Sequence, residues 1–425
     1  MTTHAHPTTL GIGHVLRIPA YRNLFAGQAI SDIGDGITLL LLLLVINELT
    51  GSTAALAVMA IAAAVPQFSV GLVAGVYVDR WNRRSVMLAA DLIRAAIVVA
   101  FAGAAAAGVV PLLYVLGFVQ SSVSTFFRPA RAAMLPKIVS ENGLPAANSL
   151  TQGSQVIGSV IGAGIAGLIF SAFGSGLAGF LLDALTFLVS FAFVSRVTAE
   201  AGRIAATPHE TGHRSVRRSL LEGIAIVRGS RVLAGTLLAA AVTMLGLGAV
   251  NVLFVPLLIN DLRVAPTWMA GIELAQTSSM ILAAGIVAFL ARRLAPTTII
   301  AVGLGGIGLC IGLLAGVTAV WQVLAVLFVI GWLVTPIHAT LQTIVQTSAA
   351  DAMRGRVTSL LQASTSTASV ASMAIGGVLG DLIGIRMVYL GAAAIVVMAS
   401  GVAFLMFRGA PRPATQAPVP AEAEA

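Results

Sequence analysis

The chain is poor in charge. Only 9% of its 425 residues are Asp, Glu, Lys or Arg, against roughly 25% in a soluble domain, so water cannot be the main solvent of the folded protein. Cysteine is nearly absent as well. Cys310 stands alone inside an apolar run, and neither a disulfide framework nor a thiolate metal centre can be assembled within the chain. His4 and His6 lie in a polar amino-terminal stretch, and no metal or cofactor is implied. Lysine occurs once, as Lys137 in Leu135-Pro136-Lys137, which excludes a phosphate loop of the form G-x-x-x-x-G-K-[ST] and ATP hydrolysis by that device. Residues 1–22 have no short apolar core followed by a cleavage site, so an uncleaved first helix is expected.

Apolar surface is what the chain has in abundance. Hydrophobic residues make up 58% of it, and its mean hydropathy is +0.98. A helix crossing a ~30 Å hydrocarbon layer needs roughly 20 apolar residues. Such segments fall near 24–46, 54–78, 86–108, 111–127, 148–172, 177–197, 232–259, 268–290, 297–316, 321–346, 358–381 and 387–407. The expected fold is all-α and integral to the membrane, with about twelve transmembrane helices. The net charge of +8 lies between these runs and not on a groove-reading module, which argues against nucleic acid as a partner.

Basic residues orient the chain, because short cytoplasmic loops collect Lys and Arg. With the amino terminus inside, all 24 basic residues except Arg263 and Arg386 fall on the cytoplasmic side. A multi-pass protein of the cell membrane with both termini cytoplasmic is expected. Residues 1–197 then form one six-helix bundle and 232–408 a second. Residues 198–231, with Pro208, His209, Glu210, His213 and several arginines, form a cytoplasmic linker. Residues 409–425, rich in Pro and Ala, have little to bury and form a disordered tail. The halves also resemble each other. Pro129 to Pro136 with Asn148-Ser149-Leu150-Thr151-Gln152 parallels Pro336 to Thr343 with Thr358-Ser359-Leu360-Leu361-Gln362, and facing repeats create a central site.

The loop after the second span reads Gly75-Val76-Tyr77-Val78-Asp79-Arg80-Trp81-Asn82-Arg83-Arg84. It resembles the signature loop of the major facilitator superfamily, with Asn82 in place of the usual glycine. The resemblance implies a cytoplasmic gate in which Gly75, Asp79, Arg80, Arg83 and Arg84 engage neighbouring helix ends. An ordinary positive-inside loop would account for the arginines but not for Asp79. The fifth span carries Gly158, Gly162, Gly164 and Gly167. Its G-x-G-x-x-G match is a decoy, because no strand precedes it; in a membrane helix, small residues permit close helix packing. The same stretch resembles the superfamily's antiporter motif, with Ala163 and Ala166 replacing its proline and one glycine.

Phe127 to Pro136, Leu144 to Leu150, Tyr21 to Phe25 with Gly34-Asp35-Gly36, and Met353 to Val357 resemble the branch that includes macrolide-efflux and enterobactin-export proteins. The resemblance covers residues 17–400. It implies a major facilitator fold of two pseudo-symmetric six-helix halves and alternating access; a monomer is expected. It also implies a cavity lined by helices one, four, seven and ten, which directs attention to Gln28, Gln120, Ser121, Ser124, Thr243, Asn251, Trp332, Thr335, His338 and Gln342. Helix packing is the bland alternative for each of them.

Ionisable groups inside a membrane are costly and are functional candidates by default. Asp32 and Asp35 are three residues apart, near one helix face, at close to mid-depth in the first span. Glu273 stands in the eighth span. These three are the candidate proton carriers, since a carboxyl group in a low-dielectric setting can hold a proton. Asp183 reads as structural, and Asp91 with Arg94 as a pair satisfied within the third helix. The expected function is proton-driven export of hydrophobic or amphipathic, drug-like small molecules. A dedicated exporter of an endogenous metabolite such as a siderophore, an importer of the same architecture, and a membrane sensor that moves nothing are the alternatives. No His-rich or Ser-Lys constellation suggests an enzyme.

Overall fold

A computed structural model describes residues 10–78, 80–198, 224–225, 229, 231–348 and 351–407. Asp79, most of the linker 198–231, and the tail 409–425 lie outside the described residues, as do the side chains of Arg354 and Arg356. Among the described residues there are no strands. Where hydrocarbon replaces water, each backbone amide and carbonyl must be satisfied within its own helix or in a closed barrel, and this chain takes the first solution.

The spanning helices are α1 Pro19–Thr50, α2 Thr53–Ser69 continued by Gly71–Val78, α3 Arg83–Ala106, α4 Val110–Ile138, α5 Leu144–Phe173 and α6 Leu177–Val194. The second set is α7 Arg231–Pro256 with a π-turn at Leu257–Asp261, α8 Met269–Arg293, α9 Pro296–Ala315, α10 Val320–Ser348, α11 Asp351–Ile383 and α12 Ile385–Phe407. Eleven of these are long and apolar enough to cross a membrane, and Thr53–Ser69 is the shorter apolar one. The interruption in α2 is slight: Val70 N–H still donates to Pro66 O at 2.9 Å and Ala74 N–H to Val70 O at 2.8 Å. Short connections join successive helices within each half wherever the connecting residues are described. Gly51 ends α1 with φ +60°, a left-handed cap that costs glycine nothing.

Boundaries agree with the apolar runs to within about five residues except at α4 and at the start of α11, which begins at Asp351 rather than near 358 and so takes Met353–Val357 into the helix. The apolar run of α4 ends at 127, but the helix continues to Ile138, through Arg128, Pro129, Arg131 and Pro136. Arginines suggest a stop only if water begins there for every face of the helix. Here one face meets a polar cavity, described below, while Phe127, Ala130 and Met134 bury the other.

Helix pairing repeats with a shift of six. In the first half α1 packs on α5 and α6, α3 on α6 and α4, and α2 on α4; in the second α7 packs on α11 and α12, α9 on α12 and α10, and α8 on α10. Between the halves α2 meets α11 and α5 meets α8, again a symmetric pair. Ile37, Leu41, Phe101, Phe180 and Phe187 centre the first core, and Leu253, Ile311, Leu314, Tyr389 and Val396 the second. Leucines such as Leu168, Leu185, Leu309 and Leu382 point outward, as lipid contact requires.

The end at which α1 begins and α12 finishes is the terminal end of the bundle, and the other is the distal end. The glycines of α5 divide between two neighbours. A Cβ on Gly158 would lie 2.8 Å from Asp32 of α1, and one on Gly162 would overlap the Ile33 carbonyl and Gly36. Gly164 and Gly167 face the other half, at Ala270 and the Pro266 carbonyl. Overpacking costs about 1–3 kcal/mol, so Gly162→Val is expected to lower thermal stability in detergent clearly. Gly103→Ala, in α3 with open space around it, is expected to leave stability unchanged or raise it by up to about 1 kcal/mol. Equal melting curves for the parent and Gly162→Val would rule out backbone contact between α1 and α5.

Candidate functional site

A cavity of about 580 Å³ lies mainly within the first half, lined by α1, α2, α3, α4 and α5, with Asn251 and Val252 of α7 and Met373 of α11 on its far wall. Its surface is mixed. Met59, Leu39, Leu42 and Phe101 are apolar, while Gln28, Gln67, Gln120 and Gln155 present amides. Such a wall suits a ligand with an apolar body and a few hydrogen-bonding groups.

Both carboxylates of α1 line the cavity, but they are held by different helices. Ser154 Oγ on α5 donates to Asp32 at 2.6 Å. Asp35 faces the cavity and pairs with Arg94 of α3 at 3.5 Å. Arg94 is 3% exposed and sits between the rings of Phe127 at 4.6 Å and Phe187 at 4.2 Å. Its closer partner is Asp91 at 2.7 Å, which also accepts from Ser190 Oγ at 2.9 Å. The pair read as self-contained in α3 therefore extends to the cavity: Arg94 bridges a buried acid and an open one. Aromatic faces stabilise a desolvated guanidinium, and two carboxylates offset the cost of burying it.

Two further groups complete the wall. Arg131 of α4 donates to Gln28 Oε1 at 2.7 Å, and Arg128 also lines the cavity. Asp183 of α6 is fully buried and accepts from Thr38 at 2.6 Å and Thr186 at 2.9 Å. Gly34 makes this possible, because a side chain there would overlap the Asp183 carboxylate.

Glu273 lies apart from Asp32 and Asp35, at the contact between halves. It accepts from Ser159 Oγ of α5 at 2.6 Å. Ser154 and Ser159 thus place one hydroxyl of α5 on a cavity acid and another on an acid of the opposite half. Among the described residues the halves are also joined by a reciprocal amide pair, Asn47 and Asn260, at 2.9 and 3.0 Å, and by Asp381 of α11 at the start of α2. Apart from the Ser159–Glu273 contact near mid-depth, these links lie at the distal end.

At the terminal end, Arg83 donates to Ala133 O at 3.3 Å and Arg84 to Ser195 O at 2.6 Å. Both acceptors belong to the first half. Arg80 is exposed, Gly75 lies within Gly71–Val78, and Asp79 falls outside the described residues, so the anion of the signature loop has no described contact.

Of the residues expected around a ligand, Gln28, Gln120, Ser121, Ser124 and Asn251 line the cavity. Thr243, Trp332, Thr335, His338 and Gln342 do not. Thr243 turns to its own helix, donating to Ala239 O at 2.6 Å, and Thr335 reaches the Met280 and Gly331 carbonyls at 3.3 Å. The cavity is lopsided because the second half touches it only through α7 and α11. Sequence reasoning passed over Arg128 and Arg131, hidden by the supposed end of α4, and over Ser154 and Ser159. The polar positions 154, 155 and 159 in an apolar span were the available signal.

Residues 14–420 match the family described as transmembrane secretion effectors. An uncharacterised MFS-type transporter of Bacillus subtilis, YfiS, is 27% identical over 89% of this chain and 93% of its own length. The multidrug efflux pump Tap of Mycobacterium bovis is 26% identical over 88% of this chain and 90% of its own. Among solved structures, a bacterial homologue of the iron transporter ferroportin in an inward-facing state superposes with a TM-score of 0.74 at 17% identity. That match covers 92% of this chain and 99% of the other, and it is a likeness of fold.

The geometry around Arg94 predicts unequal costs. Arg94→Ala strands the fully buried Asp91, and a stability loss of about 3–5 kcal/mol is expected. Asp35, at 47% side-chain exposure, contributes less, and Asp35→Asn is expected to cost under about 1 kcal/mol. Chemical unfolding in detergent measures both. Equal losses would mean that the cavity acid, not Asp91, holds the arginine.

Proposed function

The chain belongs to the transmembrane secretion effector family of major facilitator transporters, and from that premise we propose that it exports amphipathic small molecules by proton antiport. It is a multi-pass membrane transporter, not an enzyme. The observation that carries the proposal is the cavity acid pair: Asp32 and Asp35 line a space large enough for an organic ligand, and each is held by a single polar neighbour that can release it.

In this reading the halves rock about the cavity. Among the described residues the hydrogen bonds between the halves lie at the distal end and near mid-depth, which supports a state open to the cytoplasm if the basic residues orient the chain as expected. Cargo enters from that side and settles against the amides of α1, α2, α4 and α5. Protons entering from outside are carried by Glu273 at the contact between halves and by Asp32 and Asp35 at the cavity. A carboxylate that gains a proton loses its attraction for Arg94 and changes from pure acceptor to donor, so proton and cargo compete for the same wall and uptake of one favours release of the other. The loop Gly75–Arg84 closes the cytoplasmic side in the opposite state. Each half, 1–197 and 232–408, moves as one body on the linker 198–231, and one chain suffices.

A second reading has its own support. The cavity wall is richer in amides and arginines than a purely apolar cargo needs, which favours a dedicated exporter of a polar metabolite such as a siderophore.

Purified protein in liposomes with an imposed pH gradient, offered dyes, macrolides and siderophores, tests both readings. Gradient-dependent movement of one class is expected from the parent, with Asp35→Asn and Glu273→Gln falling to the level of protein-free vesicles. If variants and parent carried cargo equally, or if the gradient made no difference, the coupling assignment would be wrong.

A further inference from the structure

Among the described residues, eight hydrogen bonds cross between the halves, and one carboxylate accepts four of them. Asp381, near the distal end of α11, receives Ser52 Oγ at 2.6 Å, Thr53 N–H at 2.7 Å, Thr53 Oγ1 at 2.8 Å and Ala54 N–H at 3.2 Å. These donors are the start of α2, whose first amides have no partner inside their own helix. A negative charge at that position is further favoured by the helix dipole. Ser52 is the chain's own cap, accepting from Ala55 N–H at 3.2 Å, while its hydroxyl proton goes to Asp381. The cap of a helix in one half is thus completed by an acid from the other.

We propose that Asp381 is a distal gate latch, a positioning residue that sets how often the transporter opens on that side. The proposal rests on the alternating-access reading above. No sequence motif marks Asp381, and it lies far along the chain from the loop Gly75–Arg84.

The surroundings support a contact made to close tightly and part cleanly. Gly377 and Gly380 precede Asp381 by four residues and one, and they bring α11 against the backbone of α2: a Cβ on Gly377 would meet the Thr53 carbonyl at 3.0 Å and Ala54 at 3.3 Å. The single Thr53 hydroxyl proton is shared between Asp381 and Gly377 O, which lies 2.6 Å from Thr53 Oγ1. Gly51 and Gly384, with φ of +60° and +86°, end the helices on either side, so the latch lies between two turns. When the halves part, water replaces Asp381 at the α2 amides, because the site borders the distal solvent and its carboxylate is exposed. Opening therefore breaks the contact without stranding a buried charge.

The symmetric contact is built differently. Where α5 meets α8, one hydroxyl reaches one carboxylate, Ser159 to Glu273. The α2–α11 contact holds the gate, and the α5–α8 contact has a single bond to exchange.

Spin labels at Val109→Cys and Trp321→Cys, exposed positions at the distal end of each half, in a Cys310→Ala background, report the distal opening as a distance distribution. No cargo and no gradient are needed. Asp381→Asn and Asp381→Ala are expected to raise the ratio of distal-open to distal-closed molecules about two- to thirtyfold, the range spanned by loss of a helix cap. Ser52→Ala should move it in the same direction by less, and the double variant Ser52→Ala with Asp381→Asn should fall short of the product of the two. Should the Asp381 variants fail to purify, Ser52→Ala and Thr53→Val supply the same measurement. Distance distributions that match the parent in folded variants overturn the latch. A shift in these distributions with no cargo movement in liposomes would retain the latch and discard proton-driven export.

Discussion

Arg94 sets the constraint on which the first half is built. A guanidinium this far from water has to be neutralised where it stands, and four helices contribute. Asp91 supplies the close carboxylate at 2.7 Å, and Asp35 of α1 the more distant one at 3.5 Å. Phe127 of α4 and Phe187 of α6 cover the faces of the cation. Helices α1, α3, α4 and α6 are thereby fixed around a single charge. The cavity takes its polarity from what this arrangement leaves over: Asp35 faces the open space, and Asp32 turns to Ser154. A neutral residue at position 94 would remove the reason for these helices to converge at that depth.

Contact between the halves follows a different logic. There is little hydrophobic drive to bring helices together in lipid, because lipid chains are as apolar as the residues they would replace. Close backbone approach and hydrogen bonds take over. Gly167 lies against the Pro266 carbonyl, Gly377 and Gly380 against the start of α2, and among the described residues the polar links are few and, Ser159–Glu273 apart, near the distal surface. A two-state transporter needs an interface of this kind, firm in one state and separable at modest cost. Helix α5 belongs to both arrangements, with Gly158 and Gly162 facing its own half and Gly164 and Gly167 the other, so the four glycines perform two jobs on two faces.

Hydropathy alone revealed the spans, and the spacing of glycines in α5 foretold its close contacts, because both are consequences of local composition. The acids Asp32, Asp35 and Glu273 could be picked out for the same reason: a charge in an apolar run has to be explained. The serines that hold them were far less conspicuous. A hydroxyl in a membrane helix is usually satisfied by its own backbone, as Thr243 and Thr365 are, and only position in space distinguishes Ser154 and Ser159 from these. The end of α4 was misjudged because Arg128 and Pro129 read as the onset of water, whereas the water-accessible space lies along one face of a continuing helix.

Fold class, number of crossings and the six-and-six division were thus determined by the amino-acid sequence, through the length of its apolar runs and the absence of charge within them. Tertiary structure decided everything that depends on distance between helices remote in the chain: that Arg94 joins Asp35 to Asp91, that α5 connects two acids of opposite halves, that the cavity lies mostly against the first half, and that Asp381 closes the start of α2. The physical reason is range. Burial in lipid acts on each residue where it stands, while a hydrogen bond or ion pair exists only when two surfaces meet within about 3 Å, and that meeting is a property of the assembled bundle.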